Sequence, residues 1–208
     1  MFSSLKFKVI LFGFIFTFFS SFGQSYFLGL FNSSIREALS ITHGQFGSIY
    51  ASATLCSSLL LIWVGKKIDD VNIFKFAFFV TILLSFACFF FSRVTSVFLL
   101  FIAIFLMRFS GQGMMSHTAS TTISRYFTKT RGRALSISWF GLSSAEFIMP
   151  VLMVYLLTII DWQNLWLIFS ISVLIILPIV SFLLIKNLNL DSREANDENI
   201  KHVEIKQW

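Results

Sequence analysis

No charged residue occurs between Lys8 and Arg36, between Glu37 and Lys66, or between Asp161 and Lys186. Runs of that length dictate the fold class. A helix on the surface of a soluble domain keeps a charged or polar face opposite its apolar stripe. A helix that crosses the hydrocarbon core of a bilayer needs about 20 predominantly apolar residues in a row. Lipid offers no partners to backbone N–H and C=O groups, so only helices and closed barrels span it. Runs this long and this continuous select helices. The composition agrees: of 208 residues, 56% are hydrophobic and only 12% are charged, and the mean hydropathy is +0.82. A soluble domain carries roughly 25% charged residues.

The pattern predicts an all-α membrane protein with six transmembrane helices, near 9–33, 44–64, 74–92, 95–121, 134–158 and 163–186. The opening MFSSLKFK followed by VILFGFIFTFF resembles a signal peptide. The apolar run continues to Ile35 without an obvious small-residue cleavage site, so it reads as an uncleaved first span. Residues 1–187 form one transmembrane domain. Residues 188–208, polar and mixed in charge, read as a flexible cytoplasmic tail or the start of a central loop.

The net charge of +6 does not point to nucleic acid. The basic residues sit at the ends of apolar runs, without a basic stripe or zinc-finger spacing. They read as topology signals. Thirteen of the 16 Lys and Arg residues fall in the N-terminal segment, the 2–3 and 4–5 connections and the tail. Arg36 and Arg93 lie on the other side. Positive residues collect on the cytoplasmic side, so both termini are expected in the cytoplasm of a cell with an inner membrane. That arrangement requires an even number of spans.

Two charges interrupt the runs. Arg108 lies 13 residues into span four and Glu146 lies 12 residues into span five. The two spans run in opposite directions, so both residues fall near the midplane. Each costs about 2.5–3.5 kcal/mol at a helix centre on insertion scales. Facing one another, or a watery cavity, offsets much of that cost. Gln112 shares a face with Arg108, and Ser143 shares one with Glu146. Pro150 lacks the N–H that would bond the Glu146 carbonyl, which allows a bend. Ser20 and Gln24 form a further i,i+4 polar pair in span one. Spans one, four and five are therefore expected to line a cavity containing Gln24, Arg108, Gln112 and Glu146. A buried ion pair that only fixes packing is the alternative.

Other features read as structural. Gly44, Gly47, Ala51, Thr54 and Ser58 form a small-residue stripe on span two, suited to close helix packing. His117 reads as a satisfied polar interior position. Cys56 and Cys88 read as buried hydrophobes rather than a disulfide. The 28 phenylalanines read mostly as lipid-facing filler. The three histidines are too scattered for metal-ligand spacing, so no metal or cofactor is expected. No HExxH, GxSxG or paired aspartate at membrane depth points to an enzyme.

FGQSYF in span one and SGQGMM in span four echo one another. The three spans beginning with each run in opposite directions, as a three-plus-three inverted repeat requires. The loop GKKIDDVNIFK then resembles the 2–3 loop pattern of the major facilitator superfamily, with Gly65 and Asp69 in place and Asp70 and Asn72 as departures. The superfamily's arginine followed by two spaced glycines resembles Arg108, Gly111 and Gly113. RYFTKTRGRALSISWFGLSSAEFIMP, which contains Gly141 and Pro150, is similar to monocarboxylate-type and oxalate–formate-antiporter-like members. So are DWQNLW and YFLGLFNSSIREALSITHGQFGSIYASATL.

The resemblance implies one half of a major-facilitator fold and secondary active transport of a small solute, such as an organic anion, by alternating access. Proton coupling is one mode it allows. It implies a gating role for Gly65 and Asp69, and packing or bending roles for Gly111, Gly113, Gly141 and Pro150. The expected partners are the lipid bilayer, the solute, and a C-terminal six-helix half or a second copy. An inactive six-helix half and a homodimeric six-helix carrier are the alternatives.

Overall fold

The computed structural model describes residues 4–69 and 71–186, and among these every regular element is helical. Span one comprises α1 (Ser4–Ser20), a 3₁₀ turn (Ser21–Gly23) and α2 (Ser25–Leu30), followed by the short α3 (Asn32–Leu39). Span two is α4 (His43–Val64), continued by a 3₁₀ turn (Gly65–Asp69). Span three is α5 (Ile73–Ser92). Span four is α6 (Val97–Met107), a π-helical segment (Arg108–Met115) and α7 (Ser116–Tyr126). Spans five and six are α8 (Arg131–Leu156) and α9 (Trp162–Ile185). Six helices are thus long and apolar enough to cross a membrane. The expected boundary at 187/188, the tail and Asp70 lie outside the described residues.

The span starts follow local chemistry. Thr42 and Gln45 form a reciprocal capping box at the start of α4. Asn72 Oδ1 accepts from the Phe74 and Lys75 amides at the start of α5. The Ser96 hydroxyl accepts from the Leu99 amide at the start of α6. Ser40 ends α3 in the left-handed region, at φ 52°. The helix of span one breaks at Gln24, which is extended (φ −80°, ψ 153°).

Small residues set how closely the spans approach. Gly13, Thr17, Ser138 and Gly141 bring α1 and α8 together, and Thr17 Oγ1 donates to the Ser138 carbonyl at 2.6 Å. A Cβ on Gly141 would strike the Phe14 carbonyl and Thr17 Oγ1. Spans three and six join through a reciprocal pair: Ser85 Oγ donates to the Ser170 carbonyl at 3.0 Å, and Ser170 Oγ to the Ser85 carbonyl at 2.8 Å. Spans one and four cross at glycine on glycine, where a Cβ on Gly111 would lie 2.7 Å from Gly23 N. Serine thus meets serine and glycine meets glycine between spans one repeat apart. A two-fold axis relating spans one to three with spans four to six leaves such self-pairings. The echo between FGQSYF and SGQGMM is therefore a spatial contact.

Three expectations change. The small stripe on span two does not pack within this bundle: Gly44, Gly47, Ala51 and Ser58 are exposed, and nothing lies within 4 Å of a Cβ on either glycine. Small residues permit close approach but do not say which helix face has a neighbour. The phenylalanines are not mostly filler. Phe22, Phe27, Phe31, Phe91 and Phe169 surround the buried Trp166 in one aromatic cluster, with Phe91 and Trp166 centroids 4.6 Å apart. Cys88 is buried, as expected, but Cys56 is exposed on span two, and both thiols are free.

These contacts predict opposite outcomes for two glycines. Gly141→Ala forces the α1–α8 seam apart and costs about 1–3 kcal/mol, as overpacking does. Gly47→Ala, on an open helical face, loses no stability and gains up to about 1 kcal/mol of helix propensity. Thermal unfolding of the two purified variants in detergent checks this. A Gly47→Ala variant that melts as low as Gly141→Ala would contradict the packing.

Candidate functional site

Two departures from α-helical geometry meet at the centre of the bundle. The extended Gln24 turns the Gly23 carbonyl out of the helical ladder. Opposite it, the π-helical segment Arg108–Met115 inserts extra backbone into span four. Such bulges are frequent at functional sites. Here the widened turn carries Arg108 at its start and Gly111 against Gly23.

Arg108 reaches across this crossing. Its Nη1 donates to the freed Gly23 carbonyl at 2.9 Å and to Ser25 Oγ at 3.2 Å. Its guanidinium lies over the Tyr50 ring, 5.4 Å from the centroid. The Tyr50 hydroxyl donates to the same Ser25 Oγ at 2.8 Å. Arg108 is 7% exposed, and its Nε has no partner among the described residues. The Thr54 hydroxyl is also buried without a partner among the described residues. Most buried polar atoms in proteins are paired, so the open Nε leaves the Arg108 guanidinium with an unused donor.

Glu146 does not complete an ion pair with Arg108. It is exposed on α8. The expected charge pair is corrected accordingly: a carbonyl, a hydroxyl and a ring hold the guanidinium, and the two charges occupy separate places. Equal depth in the membrane did not bring them face to face. Gln24 and Gln112 are half-buried, one at the helix break and the other inside the π segment. Spans one and four meet at Arg108, where span one supplies Gly23 and Ser25. Span two contributes Tyr50, which sequence reasoning missed, together with Ser25. The available signal was small: Tyr50 lies one turn before Thr54, and Ser25 follows Gln24 directly.

The remaining candidates lie elsewhere. His117 Nε2 bonds the Gly65 carbonyl at 2.9 Å, tying span four to the 2–3 turn. With Leu61, Ile62, Gly65 and Lys66 it lines an open cavity of about 250 Å³. Arg125 Nη2 donates to the Ile68 carbonyl at 2.8 Å, holding the same turn. A Cβ on Gly65 would meet the His117 ring at an ordinary 3.6 Å, so a glycine is not sterically required there. Asp69 closes the 3₁₀ turn. Gly113 lies tight against Leu61, where a Cβ would come within 3.0 Å. Helix α8 runs on through the half-buried Pro150. Among the described residues, no group of three or more His, Cys, Asp or Glu side chains is placed to hold a metal.

Residues 13–207 match the family model described as Major Facilitator Superfamily. No curated protein matches the chain. The match reaches the superfamily and not the monocarboxylate or oxalate–formate-type branch.

The geometry makes a measurable claim about coupling. In a double-mutant cycle on unfolding free energy, Arg108→Ala and Glu146→Ala should add to within about 0.5 kcal/mol, as independent sites do. Arg108→Ala and Tyr50→Leu should show coupling of about 1 kcal/mol from the cation–π contact. Strong coupling between positions 108 and 146 would reinstate the ion pair.

Proposed function

Because the chain belongs to the Major Facilitator Superfamily, we propose that it moves a small organic anion, such as a monocarboxylate, across the membrane by alternating access. The observation that carries this reading is the environment of Arg108. Its partners among the described residues are neutral. A permanent charge at membrane depth is expensive and normally paired or functional. An uncompensated guanidinium with an open Nε is complementary to a carboxylate, which arginine binds through two parallel N–H donors. Gln112 and Gln24 supply neutral hydrogen bonds beside it. Glu146, separate from Arg108, balances or carries charge during the cycle, and a proton is one cargo its chemistry permits.

A second six-helix unit, either a C-terminal half or a second copy, completes this carrier. The support is the exposed polar face. Ser48, Ser52 and Ser58 on α4, with Ser143 and Glu146 on α8, point out of the bundle. Left against lipid, the Glu146 carboxylate is unfavourable, whereas the hydroxyls of Ser48, Ser52 and Ser58 bond carbonyls of their own helix. The same face is where a partner unit would rock against this one. The distribution of Lys and Arg supports an inner-membrane protein with both termini in the cytoplasm.

Two measurements test the proposal. Reporter fusions after Arg36, Arg93 and Asp161 should be extracytoplasmic, and fusions after Lys67 and Arg131 cytoplasmic. Reversal at two sites would overturn the orientation. Uptake of labelled small carboxylates into vesicles should require this chain together with a matching C-terminal half. Arg108→Ala in that pair should lower uptake roughly 10- to 100-fold, the range for losing a charge-assisted hydrogen bond. Arg108→Lys should rescue it poorly, because a lysine lacks the planar fork. Saturable uptake by the chain alone would favour the homodimer. Unchanged uptake in Arg108→Ala would remove the anion site.

A further inference from the structure

We propose that a notch at the basic end of the bundle seats an anionic phospholipid, with its phosphate on Arg133 and part of an acyl chain against Ile137, above the buried Phe127 and Ala134. The notch is about 50 Å³, open to the outside, and lined by Phe127, Thr130, Arg133, Ala134 and Ile137. Thr130, Arg133, Ala134 and Ile137 follow the i, i+3, i+4, i+7 spacing of one helical stripe. Phe127 enters from the end of α7. Polar rim and apolar floor therefore succeed one another along the helix axis. This is the order in which a headgroup and its chains meet a span at the membrane surface. The volume excludes a metabolite but accepts a few methylene groups.

Charge selects an anionic headgroup. Arg133 and Arg131 are exposed in the first turn of α8. The parallel packing of α1 on α8, with Gly13 against Ser138, brings the exposed Lys8 to the same level. The described acidic residues are Glu37, Asp69, Glu146 and Asp161. Glu37 and Asp161 belong to the opposite end and Glu146 to mid-span. Basic pockets between spans bind anionic headgroups, and each surface Lys or Arg strengthens attraction to an anionic leaflet. Arg133 stands directly over an apolar notch. That makes the site local rather than a diffuse charge effect, and independent of whether the protein transports anions.

The test uses the purified full chain in detergent and follows its thermal midpoint on titration with phosphatidylglycerol, phosphatidylcholine or free glycerol 3-phosphate. Phosphatidylglycerol should raise the midpoint, and the other two should not. Arg133→Gln should weaken the apparent phosphatidylglycerol affinity roughly fivefold, as expected for one arginine beside an anionic headgroup. Ile137→Trp, which fills the notch and leaves every charge in place, should abolish the specific response. Lys75→Gln, at the same end but away from the notch, should leave it intact. Equal weakening by Arg133→Gln and Lys75→Gln would reduce the effect to diffuse charge. An equal response to glycerol 3-phosphate would show a free-anion site. An equal response to phosphatidylcholine would show only lipid solvation of the bundle. Any of these three results overturns the proposal. Both position-133 and position-75 side chains are exposed, so these variants keep the fold and the comparison remains readable even where the tryptophan destabilises the seam.

Discussion

Gly23 and Gly111 touch backbone to backbone, and the centre of the molecule is arranged around that contact. In lipid, helices gain little from burying apolar side chains against one another, because the tails are equally apolar. Close backbone approach restores dispersion and lets polar groups reach between helices. The glycine crossing does both. It brings the π-helical turn of span four against the broken helix of span one, and so places a free carbonyl within reach of Arg108. With larger residues at either position, the two backbones would separate, and the guanidinium would lose both Gly23 and Ser25.

The bundle uses one device at different scales. Thr17 on the Ser138 carbonyl seals spans one and five, the Ser85–Ser170 exchange seals spans three and six, and bare glycines seal spans one and four. Each replaces bulk with a short polar or absent side chain. Between these seams, aromatic bulk fills the wider space around Trp166. The contacts Gly23–Gly111 and Ser85–Ser170 each pair like residues between helices three spans apart in the chain. One interface chemistry serves both helices when a two-fold axis runs between them.

What could be read from the sequence divides along a physical line. The six spans were legible because the hydrocarbon core imposes a length and forbids charge, and both constraints act on contiguous residues. Arg108 and Glu146 were legible as anomalies for the same reason. Their partners were not. Depth is encoded by distance along a span, whereas azimuth around the bundle is set by which helices pack, and that depends on contacts between residues far apart in the chain, such as Arg108 with Gly23 and Tyr50. Arg108 could therefore be placed along its span, but its partners Gly23, Ser25 and Tyr50 could not be read. Tyr50 escaped notice because an aromatic in a membrane span is unremarkable until something sits on its ring. The span-two stripe failed for a related reason: Gly44 and Gly47 announce a close approach that this bundle does not make.

That unmade approach and the unpaired glutamate belong together. Span two leaves its small residues open, and span five leaves Glu146 and Ser143 open. A face of glycines, serines and one carboxylate is poorly suited to acyl chains, yet it suits a helix that must approach closely and then slide. Small side chains lower the barrier to sliding because they interdigitate little. Arg108 is fixed by three neighbours inside the six-helix unit and does not depend on that face. Arg108 and Glu146 therefore belong to separate parts of the unit: Gly23, Ser25 and Tyr50 hold the guanidinium inside the bundle, while the carboxylate stays exposed on α8.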